Sequence, residues 1–178
     1  MPGGGRIDWL TGLLTRGGWE DGVTQAHRQA LQRARTIALL IVDLDHFKLV
    51  NDRFGHQAGD EVLRLVAAVL EESTRATDVV GRYGGDEFLI LAPGVNLSGA
   101  LTLARRICHR VSALTIAHDD LTGNPATISG LTTSVGVVVQ RPGDDLGPAD
   151  LVRYADAALL QAKEAGRNLI YISSLPRS

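Results

Sequence analysis

The feature that most constrains this chain is a run of seven residues, Thr36, Ile37, Ala38, Leu39, Leu40, Ile41 and Val42, that stops at Asp43. A continuous apolar run rich in β-branched residues has no polar side to turn toward water, so it predicts a strand buried on both faces of a sheet. Elsewhere the apolar residues recur at helical spacing. Val62, Leu65, Val66, Val69 and Leu70 form one stripe, and Ala100, Leu103, Ala104, Ile107 and Val111 a second. Leu151, Ala155, Ala158, Leu159 and Ala162 form a third, just after Pro148, a residue that suits a first helical turn. Short β-branched or aromatic stretches at residues 79–83, 87–91, 131–139 and 168–172 predict further strands.

The expected order is helix, strand, helix pair, hairpin, helix, strand, helix, strand. Gly84 and Gly85 join the second and third strands, in a turn expected to use positive φ. Residues 119–130 read as an extended loop. The fold class is α+β, a mixed or antiparallel sheet with helices packed on it rather than a βαβ repeat. A length of 178 residues suits one domain, expected over residues 7–172 with tails at 1–6 and 173–178.

Composition excludes several functions. The lone Cys108 allows no internal disulfide and no thiol-rich zinc site. With 18 basic and 20 acidic residues the net charge is −2, which gives no general attraction for nucleic acid or anionic lipid, so an anionic ligand needs a local site. No run approaches the roughly 18 to 20 apolar residues of a membrane helix, and no secretory pattern opens the sequence, so a cytoplasmic location is expected.

Asp43 ends the most apolar strand, and Asp86 and Glu87 follow the glycine pair at the head of another. Converging acids of this kind repel one another unless a cation lies between them, and hard oxygen donors favour magnesium or manganese. A strand end and a solvated hairpin shoulder would account for the same residues equally well. Asp45 stands where a helix N-cap belongs, and the amides of that helix start, with Lys48 beside them, suit a phosphate. Lys163 and Arg167, four apart at the end of the last long helix, serve either the helix dipole or an anion. Asn51 and Asp60 offer the amide and carboxylate that a guanine edge requires, and they also suit helix ends and turns. His46 and His56 have no partner pattern of catalytic bases, and Trp9 and Trp19 read as packing residues.

In order and spacing these segments resemble the GGDEF family over nearly the whole chain. The matching stretches begin with Asp8, Leu10, Thr11 and Gly12, then Asp43, Asp45, Phe47, Lys48 and Asn51, then Gly55, His56, Gly59 and Asp60. They continue through Arg82, Gly84, Gly85, Asp86, Glu87 and Phe88, then Thr133, Ser134 and Gly136, and close on Asp156, Lys163, Gly166, Arg167 and Asn168. The resemblance implies a palm-like nucleotidyl-cyclase fold with a mostly antiparallel sheet. It implies condensation of two GTP into cyclic di-GMP with release of pyrophosphate, across a homodimer in which each domain holds one GTP.

Carried over by position, Asp43, the Leu44 carbonyl, Asp86 and Glu87 would hold two magnesium ions, with Asp86 the candidate proton acceptor. Asn51 and Asp60 would read guanine, while Phe47, Lys48, Lys163 and Arg167 would hold the triphosphate. Arg75 and Asp78, with Arg106, match an inhibitory site for cyclic di-GMP; an i,i+3 ion pair is the plainer reading of the first two. The family's Asn-Arg-Arg is here Thr15, Arg16 and Gly17, and its tyrosine in the last helix is Leu160. The alternative function is a GGDEF domain without turnover that senses GTP or cyclic di-GMP. The signature itself is undamaged.

Overall fold

The computed structural model describes residues 5–175. Of the expected tails, residues 1–4 and 176–178 lie outside the described residues. The chain runs through α1 (Arg16–Gln32), β1 (Ile37–Leu44), α2 (Phe47–Phe54), α3 (His56–Ser73), β2 (Val79–Arg82), β3 (Glu87–Pro93) and α4 (Leu97–Ser112). It continues with β4 (Ile116–Asp119), β5 (Pro125–Ile128), β6 (Thr133–Gln140), α5 (Pro148–Glu164) and β7 (Ile170–Ile172). The main sheet has the order β2-β3-β1-β6-β7, antiparallel except for the β6–β7 pair.

The apolar run occupies the centre of this sheet, and every residue of β1 is buried. Its side chains alternate. Ala38, Leu40, Val42 and Leu44 join the core under α3 and α4, while Ile37, Leu39 and Ile41 join the core under α1 and α5. Three layers follow, with helices on both faces, and this explains why the run could not spare a polar face. Truncating a β1 leucine would destabilise the fold by about 2–5 kcal/mol.

Gly136 on β6 faces α5, and a Cβ there would lie 2.0 Å from the Ala155 carbonyl oxygen and 2.5 Å from the Leu159 nitrogen. Only glycine lets the α5 backbone come this near the sheet. The close approach brings the last turn of α5 to the end of β1.

Three expectations are corrected. Residues 119–130 are not one extended loop; they hold the turn and second strand of a small separate sheet, the β4–β5 hairpin, in which Ile116 and Ile128 are the buried residues. Asp120 accepts from the Thr122 and Asn124 amides, and Gly123 supplies φ of 80°; four-residue strands with one anchor each leave too little periodicity to detect. Neither Gly84 nor Gly85 has positive φ. Their turn is wider than two residues, because Arg82 pairs with Phe88 and the Tyr83 amide reaches the Glu87 carbonyl at 2.8 Å. Trp9 is 84 % exposed, on a turn tied by its own hydrogen bonds around Asp8 that offers the indole no pocket. Trp19, by contrast, is buried, lies over Gly81 and donates from Nε1 to the Val79 carbonyl at 3.1 Å.

Candidate active site

Antiparallel register sets Asp43 of β1 directly opposite Glu87 of β3. By the alternation of both strands the two carboxylates share the α5 face, and like charges so placed are unfavourable without a counter-ion. Burial, followed by the charge of Asp86, raises the pKa of Asp43. Burial likewise raises Glu87, with Asp43 and Asp156 adding to it. Lys163 answers this charge from α5, its Nζ 3.1 Å from Asp43 Oδ2. Asp43, Asp86, Glu87 and Lys163 thus converge at one end of the sheet, with Leu44 next in line as the buried last residue of β1.

The hairpin tip carrying Asp86 is braced from outside. Arg82 donates from Nε and Nη2 to the Gly85 carbonyl at 3.1 and 2.7 Å, and its Nη1 meets Asp8 Oδ2 at 3.2 Å. Burial alone would push Asp8 upward, but its bonds to Thr11 and Arg82 hold its pKa below the ordinary value. Backbone hydrogen bonding also ties the tip to β1, through the Leu44 amide and the Asp86 carbonyl at 3.2 Å. Gly85 has nothing around its would-be Cβ, so this side of the carboxylates stays open.

Beside the cluster α2 begins at His46, whose φ of 55° and missing side-chain cap leave the first turn uncovered. Phe47 is half-buried and Lys48 exposed in that turn. Asn51 lies one turn on, and Gly55, with φ of 87°, breaks the chain between α2 and α3. A Cβ on Gly59 would fall 1.9 Å from Asn51 Oδ1 and 3.2 Å from the Phe47 ring, so the amide seats directly on the α3 backbone. Asp60 follows, half-buried. The corner is a polar niche with an aromatic wall.

A family model for the diguanylate cyclase GGDEF domain matches residues 6–169. The chain belongs to the GGDEF family. PleD of Caulobacter vibrioides is 37% identical over 165 residues, covering 92% of this chain and 35% of PleD. Diguanylate cyclase DgcP of Pseudomonas aeruginosa is 34% identical over 93% of this chain and 24% of its own length. The chain therefore spans about a third or less of these relatives. The GGDEF domain of DgcB from Caulobacter crescentus, solved in complex with c-di-GMP, superposes with a TM-score of 0.86 at 32% identity, covering 96% of this chain and 94% of that one. The mostly antiparallel palm-like sheet expected from the sequence is the fold found.

As a GGDEF domain the chain departs from expectation at three polar positions. Asp45 does not cap α2; it is buried and accepts from Thr132 Oγ1 at 2.7 Å, Ser134 Oγ at 2.6 Å and the Asn168 amide at 2.9 Å. Arg167 is not on α5, which ends at Glu164; it lies in the following turn with φ of 64°. Arg75 and Asp78 are not joined as an i,i+3 side-chain ion pair, because Asp78 Oδ2 accepts from the Arg75 backbone amide at 2.8 Å. Burial raises the Asp78 pKa and leaves its Oδ1 without a partner, within reach of the charges of Arg75 and Arg106. Arg106, on the exposed face of α4, donates to the Ser73 carbonyl. These three residues gather where α3 ends and β2 begins, apart from the carboxylates at the far end of that strand. The braces Asp8 and Arg82 carried no assigned role in the sequence, since a contact spanning 74 positions leaves no local spacing to read.

Proposed function

We propose that this domain condenses two GTP into cyclic di-GMP and two pyrophosphates, working as one half of an antiparallel homodimer. The observation that carries the reading is the cross-strand pair of Asp43 and Glu87, with Asp86 and Lys163 beside it. Asp43 and Glu87, whose pKa values burial raises, and Asp86 beside them are all hard oxygen donors and suit divalent magnesium, with manganese as a substitute. Among the described residues no group of three or more His, Cys, Asp or Glu side chains is placed to hold a metal ion by itself, so a magnesium here would need substrate phosphates and water to complete its coordination. Asp43, the Leu44 carbonyl, Asp86 and Glu87 would hold two such ions. When bound, they supply charge neutralisation of the leaving pyrophosphate and acidify the attacking hydroxyl.

The chain's own residues do the rest. Asn51 and Asp60 take the guanine edge, its N1 and exocyclic amine donating to the carboxylate and carbonyl oxygens. The first-turn amides of Phe47 and Lys48 receive phosphate oxygens, and Lys163 and Arg167 add charge. Asp86 accepts the 3′-hydroxyl proton as that oxygen attacks the α-phosphorus of the facing GTP and the bond to pyrophosphate breaks. A second such transfer closes the ring. Product inhibition follows from Arg75, Asp78 and Arg106, where guanidinium groups suit the phosphates and the unpartnered Asp78 Oδ1 suits guanine donors.

Incubation of the purified domain with GTP and magnesium, with chromatography of the products, tests the reading. Cyclic di-GMP should form at a rate rising more steeply than protein concentration, and Asp86→Ala or Glu87→Ala should lower it by about 10²-fold or more. Full turnover in both variants would overturn the assignment. GTP binding without any product would establish the sensor alternative instead. Calorimetry with cyclic di-GMP should show binding that Arg75→Ala removes.

A further inference from the structure

Asp45 and the alternating Thr132, Ser134 and Gly136 remain without a role in the reading above, and the turn of Gly166, Arg167 and Asn168 has none beyond the charge of Arg167. They meet at one point. Asp45 follows β1 and is 8 % exposed. Both of its carboxylate oxygens are engaged, Oδ1 by Ser134 Oγ at 2.6 Å and Oδ2 by Thr132 Oγ1 at 2.7 Å and the Asn168 amide at 2.9 Å. The Asp45 amide in turn donates to the Thr132 carbonyl at 2.9 Å. Gly136, on the same face of β6, lets α5 lie near enough for its trailing turn to reach this acid.

That turn is held in an unusual shape. Arg167 and Asn168 both have left-handed φ, 64° and 51°, which side-chain-bearing residues adopt at a cost of about 1 kcal/mol or more each. The Arg167 amide closes on Ala162 at 3.0 Å and the Leu169 carbonyl receives the Val135 amide at 2.9 Å, so the Asn168 amide is the link between these two ties. Its acceptor is Asp45. A bond to a buried carboxylate is among the stronger ones available to a backbone amide.

We propose that Asp45 is a positioning residue that acts through Arg167: by accepting the Asn168 amide it fixes the left-handed turn and aims the Arg167 cation at the nucleotide phosphates. This rests on Arg167 being a triphosphate ligand. The unstrained alternative for the turn would swing the exposed guanidinium away while leaving the core intact, because Arg167 and Asn168 are both exposed.

A double-mutant cycle on the intact domain tests it, using the affinity for a non-hydrolysable GTP analogue with magnesium and, without nucleotide, hydrogen exchange of the Asn168 amide. Asp45→Asn keeps the shape of the side chain, and Ser134→Ala serves as a second variant that spares the charge. Arg167→Ala should weaken the analogue about tenfold in the wild type and less than about twofold in the Asp45→Asn background, a coupling of about 1 kcal/mol or more. Exchange of Asn168 should quicken in Asp45→Asn while core amides of β1 stay protected. Equal effects of Arg167→Ala in both backgrounds would overturn the proposal and leave the substrate reading standing. Failure of the wild type to bind the analogue would overturn both, and unchanged Asn168 exchange in Asp45→Asn would remove the tether itself.

Discussion

Lys163 reaches across from α5 to place its ammonium 3.1 Å from the Asp43 carboxylate of β1. The lysine is the cation that offsets the burial of Asp43 and the charge of Asp86. Lys163→Met should therefore raise the Asp43 pKa further, read by carboxyl NMR titration, and weaken a GTP analogue by about tenfold, a typical loss for one charge-assisted contact. An unmoved Asp43 titration would mean that the pair is a surface contact without consequence.

The raised pKa values of Asp43 and Glu87 carry a sign. Below the ordinary values of 3.8 and 4.5 both states are protonated; above them the unfolded chain loses protons first. Folded stability contributed by these two groups should fall as pH rises through that window and stay lower above their folded values. Asp8 acts oppositely, its stabilisation present above 3.8 and lost as pH falls through its lowered folded value. Melting temperatures in chelator across pH should show Asp43→Asn flattening the loss, with magnesium restoring stability to the wild type near neutrality. A wild type indifferent to magnesium would contradict this.

Arg82 is the brace of the hairpin tip, bonded to the Gly85 carbonyl and to Asp8. Arg82→Ala should lower kcat about tenfold or more while GTP affinity changes less than about twofold, since under the proposed function the misplaced group, Asp86, acts on the attacking hydroxyl rather than on the bound nucleotide. Steady-state kinetics beside equilibrium binding separates the two. Equal loss in both would show that the brace supports the whole site.

Gly136→Ala drives a methyl group into the α5 backbone. Because backbone rather than a side-chain tip must move, the loss should be about 1–3 kcal/mol or more, a fall in Tm of about 2–4 °C per kcal/mol in a domain of this size. Thermal denaturation measures it directly. A melting point within a degree of wild type would mean that α5 shifts freely.

Much of this was legible in the chain because the determining pattern was local. The run ending at Asp43 shows its burial on both faces in seven consecutive residues, and the stripes of α3, α4 and α5 repeat every three to four positions. Asp45 was misread for the opposite reason. An acid before a helix has the local look of a cap, and only partners from β6 and from the turn after α5 show it as a buried junction. The Arg82 brace depends likewise on a residue far away in sequence. The shape of the Gly84 and Gly85 turn was missed because the pair marks a turn without fixing its width.

The central place of β1 also bears on how the chain comes together in time. Ile37 pairs with Pro93 on one side and with Gln140 on the other, so the most apolar strand of the molecule is synthesised long before its second neighbour exists. Pairings so distant in sequence fold slowly. Until β6 emerges, one edge of a sticky segment stands open to other chains. Low temperature and slow expression should therefore favour soluble material for reasons unrelated to the finished molecule's stability.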